Sequence, residues 1–473
     1  MYLFYRVRLE EIFMNELTIP LSSASGVPLY EQIYRFIVSE IHEGRLKQGA
    51  RLPSKRALCA HLNVSLSTVE TAYGLLLAEG YIISRPKSGY YAASSGLPDV
   101  RHAAVQSTPA RPAAAPPLFD ASTSAVDTSA FPYATWAKIF KQVLYDRPDL
   151  LSRGDPQGDI ELREVLTSFL YQYRGVRCQA GQIVVCAGME HLIEVLIRLT
   201  EPSASAAFED PGYDMPGRIF REYGRAVYPI PVDSSGLNVN ALRKTDASLV
   251  YVTPSHQFPT GALMPFARRM QLLSWAGESP DRLIIEDDYD SEFRYNSRPV
   301  PALQGLSHAN NVVYAGTFSR TIAPSIRIAY MVLPDALMNR YLSGRSASSS
   351  LVSRFEQQTL ARFLQGGYYA RHLRRVGNIY RARCTELSRA LRRIEGVSVT
   401  ADDAGLHFLV SHSRLTESEM TKRAAARGII LRGLSEYRHS DASASSTVVM
   451  GFAGLSDGQI PEFAALLEEA WRE

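Results

Sequence analysis

Leu283-Ile284-Ile285-Glu286-Asp287-Asp288-Tyr289-Asp290 opens on three apolar residues and closes on acids and a phenol. A run of this kind reads as a short buried strand that ends in chemistry. Downstream stand Gly316-Thr317-Phe318-Ser319-Arg320-Thr321 and then Pro324-Ser325-Ile326-Arg327. Together these residues are equipment for holding a pyridoxal phosphate. A carboxylate, Asp287, on the pyridinium nitrogen keeps the ring an electron sink, the Tyr289 phenol can bond the ring oxygen, and Ser319 with Arg327 can take the phosphate. Arg320 cannot condense with an aldehyde, because a guanidinium stays protonated at physiological pH. Alone, Asp287 beside Asp288 would also suit an exposed turn at a strand end.

Outward from this block, short apolar runs alternate with amphipathic stretches. Ile183-Val184-Val185, Ala206-Ala207-Phe208, Leu249-Val250-Tyr251-Val252 and Val312-Val313-Tyr314 are the other runs. Fully apolar strands joined by helices predict a mostly parallel sheet covered on both faces. From about Gly344 the chain turns helix-rich and then strand-rich (Leu406–Val410, Val448–Phe452), which suits a smaller C-terminal α+β subdomain. Residues 94–118 are rich in Pro, Ala and Ser and read as a semi-extended linker.

Before the linker, residues 27–93 form a separate unit. Leu52–Tyr73 fits two helices joined by a tight turn. Ser54 can cap the first, Asn63 suits a left-handed closing residue, and Ser65 can cap the second. Ser67 and Glu70 also have capping-box spacing. Val69, Tyr73 and Leu76 would then point inward and leave Leu66, Ser67, Thr68, Glu70 and Thr71 outside. The second helix of such a pair enters a DNA major groove by its N-terminal residues. Ile82–Tyr91 reads as a hairpin wing with a basic tip around Lys87, Ser88 and Gly89, and Lys55, Arg56, Arg85 and Lys87 are the phosphate-contact candidates. By itself this pattern also fits a small helical module with a solvated basic face.

Composition sets bounds. At 473 residues the chain has room for about three domains. A formal net charge of +3 means that any nucleic-acid binding must come from a local patch. There is no apolar run long enough to span a bilayer, and Met1–Phe13 has no cleavage-site pattern. Cys59, Cys178, Cys186 and Cys384 show no paired framework and no metal-ligand spacing, which suits reduced thiols in a cytoplasmic protein.

Thr253-Pro254-Ser255-His256-Gln257-Phe258-Pro259-Thr260-Gly261, the Glu-Asp-Asp-Tyr-Asp block, Gly-Thr-Phe-Ser, and Leu-Pro-Ser-x-Arg with its wing carry a resemblance. The chain resembles the MocR/GabR family from about Pro28 to its end, with a gap at the linker. The resemblance implies a GntR-type winged helix-turn-helix (α+β, residues 27–93) joined by the linker (94–118) to an α/β fold type I aminotransferase-like domain (119–473) with a smaller C-terminal α+β subdomain. It also implies roles. Asp287 faces the pyridine nitrogen, Tyr289 the ring oxygen, Tyr213 stacks on the ring, and His256 or Gln257 lies beside the ring oxygen. Gly188 begins the helix whose amides face the phosphate, with Ser319 and Arg327. Departures cluster in the same site. Arg320 stands where the family's Schiff-base lysine is expected, so pyridoxal 5'-phosphate would be held without a covalent bond. Arg153 stands where a tyrosine often reaches the partner's phosphate, Glu190 where a neutral amide is common, and Glu436 where an arginine meets the ligand's carboxylate. Leu66 replaces a basic residue after the turn serine.

The leading reading is a transcriptional regulator that binds double-stranded operator DNA through Ser54, Lys55, Arg56, Ser65, Leu66, Ser67, Thr68, Thr71, Arg85, Lys87, Ser88 and Gly89. Its second domain would sense a small-molecule effector through Gly188, Tyr213, His256, Asp287, Tyr289, Ser319, Arg320 and Arg327, without catalysis. The family implies a domain-swapped homodimer. Arg320 would either mark a relic site or serve as a fixed cation for Asp287 or an anionic effector. A working pyridoxal-phosphate-dependent aminotransferase is the alternative, and it leaves residues 27–93 without a role. A domain kept only for dimerisation is the third reading.

Overall fold

The computed structural model describes residues 19–22, 26–86, 88–93, 117–295, 300–344, 350–439 and 445–472. Lys87 and most of the 94–118 linker lie outside the described residues. The chain divides into two compact units, Met1–Ala114 and Ala115–Glu473.

The first unit contains α1 (Leu29–His42), β1 (Arg51–Leu52), α2 (Lys55–Leu62), α3 (Leu66–Ala78), β2 (Ile82–Arg85) and β3 (Gly89–Ala92). Ile33, Ile37 and Ile41 recur on one face of α1 and share a core with Val69, Ala72, Tyr73 and Leu76 of α3. Ser54 and Ser65 cap α2 and α3, each side chain accepting from the amide three residues on, Ala57 and Thr68. Asn63 closes α2 at φ 52°. The Ser67–Glu70 capping box does not form. Helix α3 starts at Leu66, so Ser67 already lies inside its first turn, and Glu70 reaches Lys55 at 3.4 Å instead. The three strands pair antiparallel in the order β1-β3-β2, which makes the wing.

The second unit is built on an eight-stranded sheet. After β4 (Phe119–Asp120) and α4 (Ile160–Arg174) come β5 (Ile183–Cys186), α5 (Gly188–Leu199), β6 (Ala206–Asp210), β7 (Val227–Asp233), β8 (Gly236–Leu237), β9 (Leu249–Val252), α6 (Phe266–Gly277), β10 (Leu283–Asp288), β11 (Val312–Thr317) and β12 (Ala329–Val332). The order is β5-β12-β11-β10-β9-β6-β7-β8. The run β11-β10-β9-β6-β7 is parallel, while β12 pairs antiparallel with both β11 and β5. Both faces are covered, which explains the unbroken apolar strands. Ile285 and Val313 pack under α5 residues Leu192, Ile193 and Leu196, whereas Ile284 and Val312 pack toward Leu272 and Trp275 of α6.

A smaller layer follows. Helix α7 (Tyr368–Leu391), strands β13 (Val397–Thr400) and β14 (His407–His412), helix α8 (Glu417–Ala426), strands β15 (Ile429–Ile430), β16 (Arg432–Gly433) and β17 (Thr447–Gly451), and helix α9 (Ile460–Arg472) share one core. Here β13-β14-β17-β16 form an antiparallel sheet, and β15 pairs with β4. The architecture is therefore an N-terminal helix-turn-helix unit and an α/β unit with a C-terminal α+β layer, the arrangement expected from the sequence. None of the helices among the described residues is long and apolar enough to cross a membrane.

Candidate functional site

Strand alternation sorts the acids of β10 onto two faces. Glu286 accepts from the amides of Leu303 and Gln304, at 2.7 and 2.8 Å, and so holds the start of a short helix. Asp288 meets the buried Arg174 guanidinium and, at 2.6 Å, the Tyr314 hydroxyl. Asp287, between them, faces the other way and lines a cavity of about 170 Å³. All three are buried, which removes the exposed-turn reading. The Tyr251 hydroxyl donates to Asp287 Oδ2, and Oδ1 has no hydrogen-bond partner among the described residues. Burial pushes the Asp287 carboxyl up to about 7; the Tyr251 bond and Arg320 oppose that rise, while Asp288 and Asp290 add to it.

The cavity brings together Tyr213, Asp287, Tyr289, Ser319, Arg320 and Arg327. Ser124, Met189, Glu190, Thr253, Phe258, Thr317 and Pro324 complete it. The ring end fits a pyridoxal group: an orphaned buried carboxylate oxygen suits a protonated ring nitrogen, and Tyr213 offers an aromatic wall whose hydroxyl burial pushes up to about 12. The phosphate end does not fit. Arg327, which the sequence reading assigns to the phosphate, is paired with Glu190 and so already has a carboxylate partner. Both side chains are about half exposed (49% and 48%), and as a contact the pair is worth at most about 1 kcal/mol. The carboxylate charge remains wherever its rotamer turns. Gly188 lies directly beneath Arg327; a Cβ there would collide with the guanidinium, and its φ of +88° also favours glycine.

Arg320 donates to the Thr123 carbonyl and forms no ion pair among the described residues. It pairs neither with Asp287 nor with another carboxylate, although its charge lowers the proton affinity of Asp287 and Tyr289.

His256 does not line the cavity. Its Nδ1 lies 3.0 Å from Asp290 and 2.9 Å from the Tyr289 hydroxyl, so it holds the phenol from behind. Gln257 is consumed by local bonds to Glu209, Pro211 and Thr260. Arg153 and Glu436 are exposed and outside the cavity, and Glu436 accepts from the Gly433 amide at 2.9 Å. Sequence reading missed Tyr251, Thr123 and Ser124. The aromatic in an otherwise aliphatic Leu-Val-Tyr-Val strand was the one available signal for Tyr251; Thr123 and Ser124 carried none.

In the N-terminal unit, Arg56, Leu66, Ser67, Thr71 and Arg85 are exposed on α2, α3 and β2. Leu66 is 41% exposed at the tip of α3. Ser54 and Ser65 use their side chains as caps, and Thr68 bonds Ser65 at 2.7 Å. Lys55 is drawn toward Glu70, and the Arg85 guanidinium lies 4.5 Å over the Tyr91 ring. Ser88 reaches the Tyr91 hydroxyl at 2.5 Å, and Gly89 takes φ +113° as the wing turns back.

Known proteins match both units. Residues 29–91 match the family Bacterial regulatory proteins, gntR family, and residues 119–467 match Aminotransferase class I and II. The HTH-type transcriptional regulator YdeL of Bacillus subtilis (strain 168), itself uncharacterized, is 38% identical, with 96% of this chain and 98% of that one covered. A protein of Rhizobium meliloti named "Probable rhizopine catabolism regulatory protein MocR" is 32% identical over 94% of each chain. The kynurenine aminotransferase of Pyrococcus horikoshii, solved in complex with PMP, superposes with a TM-score of 0.66 at 25% identity, over 74% of this chain and 90% of that one.

Proposed function

Since this chain belongs to the gntR-family regulators that carry a class I and II aminotransferase domain, we propose that its second unit is a non-catalytic sensor whose cavity reports a small molecule to the DNA-binding unit. The chain is a helix-turn-helix transcriptional regulator. The finer assignment rests on one observation above all. The cavity is lined by the permanently charged Arg320 together with Asp287 and Tyr289, and a guanidinium cannot act as the proton-shedding amine that a transaminase needs.

DNA is read by α3 in the major groove through Ser67, Thr68 and Thr71, with Leu66 making an apolar contact. Arg56, Arg85, Lys87 and Lys55 take phosphates, and Ser54, Ser65, Ser88 and Gly89 shape the surface that carries them. The protein works as a domain-swapped homodimer. Ligand in the cavity acts by favouring one arrangement of the readers over another, which requires unequal affinity for the two. Pyridoxal phosphate chemistry is not part of this reading, because Glu190 holds the phosphate end.

Fluorescence anisotropy of the full chain on its own upstream DNA tests the first half; removal of residues 27–93 is expected to abolish binding. Incubation with amino donors, a 2-oxo acid and pyridoxal phosphate tests the second half. Sustained conversion of donor to oxo acid would return the working-aminotransferase reading.

A further inference from the structure

Four charged groups, Arg327, Glu190, Arg320 and Asp287, decide what the cavity accepts. Arg327 is already neutralised by Glu190. Arg320 lines the cavity with its hydrogen bond spent on a backbone carbonyl and no carboxylate partner among the described residues. Asp287, 3% exposed, keeps Oδ1 without a hydrogen-bond partner among the described residues. Around them stand Tyr213, Phe258 and Met189, which give flat, largely apolar walls.

Each group asks for a different ligand atom. The partly buried Arg320 guanidinium has no carboxylate partner among the described residues, and its planar fork matches a carboxylate. A buried carboxyl with a free oxygen asks for an N–H donor, and a proton affinity near neutrality lets the proton be shared. Aromatic walls favour a planar ring. Glu190 repels an anion and welcomes a neutral hydroxyl or an ammonium. A phosphate fails this set at Arg327, whereas a carboxylate satisfies it at Arg320.

We propose that the cavity binds an unphosphorylated pyridine carboxylate, with the ring nitrogen on Asp287, the carboxylate on Arg320 and a neutral hydroxymethyl or similar donor toward Glu190. The proposal rests on the sensor reading of this cavity and gives its ligand a chemical class.

Isothermal titration of the full chain with three probes tests it. The probes are 4-pyridoxic acid, pyridoxine (the same ring with a hydroxymethyl in place of the carboxylate) and pyridoxal 5'-phosphate. The expected order puts 4-pyridoxic acid at least tenfold tighter than either of the others. Glu190→Gln should raise pyridoxal 5'-phosphate affinity at least tenfold and move 4-pyridoxic acid less than threefold. Arg320→Met should weaken 4-pyridoxic acid at least tenfold and leave pyridoxine within threefold, and this unchanged pyridoxine binding guards against a misfolded variant. Equal binding of phosphate and carboxylate probes by the parent protein, an unaltered order in Glu190→Gln, or no binding of any probe would each overturn the proposal. The sensor reading fails separately: 4-pyridoxic acid would then bind as expected yet leave operator affinity unchanged. Conversely, a different compound that occupies the cavity and shifts operator affinity, while 4-pyridoxic acid does not bind, sinks the pyridine carboxylate alone.

Discussion

The Tyr251 hydroxyl donates to one oxygen of Asp287 from the neighbouring parallel strand and leaves the other oxygen unmatched. Stability should record this imbalance. Burial lifts the Asp287 carboxyl from 3.8 to about 7. Between those values the folded chain keeps a proton that the unfolded chain has lost, so its stability falls as pH rises, and the penalty is complete above about 7. Asp287→Asn has no charge to bury. Urea unfolding should show the variant gaining on the parent by roughly 2–3 kcal/mol between pH 5 and pH 8. A gap that stays constant with pH would mean that the carboxyl titrates normally in the folded chain.

On the opposite face of the same strand, Asp288 has a counter-ion: its Oδ2 meets Arg174 and the Tyr314 hydroxyl, while its Oδ1, like that of Asp287, has no hydrogen-bond partner among the described residues. Arg174 and Asp288 are 5% and 3% exposed, and the guanidinium also reaches Ser255 at 2.7 Å and the Val300 carbonyl at 2.9 Å. Arg174→Met leaves a buried carboxylate with the Tyr314 hydroxyl alone and should cost about 3–5 kcal/mol. Adding Asp288→Asn should return most of that loss, because the uncompensated charge is the main cost. If the double variant were no more stable than Arg174→Met, the loss would lie in packing and not in charge.

What could be read from the sequence followed how local the determinant is. Ser54, Asn63 and Ser65 act on amides within a few residues, so the helix-turn-helix was visible in a short window. The Ser67–Glu70 spacing misled because two serines stood near one helix start and only one could be its cap. The period of two along β10 already separated Asp287 from Glu286 and Asp288, once the strand was recognised. Glu190 reads as hostile to phosphate from the sequence alone, but its partner Arg327 lies more than a hundred residues away, and no spacing rule joins them. Thr123, which holds Arg320, comes from nearly two hundred residues upstream through an unremarkable Ser-Thr-Ser segment.

Phosphate contacts in the N-terminal unit are graded by their existing partners. Arg56 is exposed without an ion pair among the described residues, whereas Lys55 already leans on Glu70 at 3.4 Å. Arg56→Ala should weaken binding to all DNA sequences and lower the slope of log affinity against log salt by about one. Lys55→Ala should lower it by less. Anisotropy on the upstream fragment across a salt series reads both slopes, and an unchanged slope for Arg56→Ala would place that residue off the DNA.

Arg320 and Glu190 together should decide whether the second unit can carry a covalent pyridoxyl group. A lysine at 320 can lose its proton when desolvated beside another cation, and Arg327 is the neighbouring cation of the cavity. Glu190 blunts that help in two ways, since it neutralises Arg327 and repels the phosphate. Arg320→Lys alone should therefore stay colourless with micromolar pyridoxal phosphate. The pair Arg320→Lys with Glu190→Gln should turn yellow, and borohydride reduction followed by mass spectrometry should find one pyridoxyl group per chain, on residue 320. The parent protein should show none. A stoichiometric adduct in Arg320→Lys alone would mean that Glu190 yields its place to phosphate, and the half-exposed ion pair would then be a bystander at an open site.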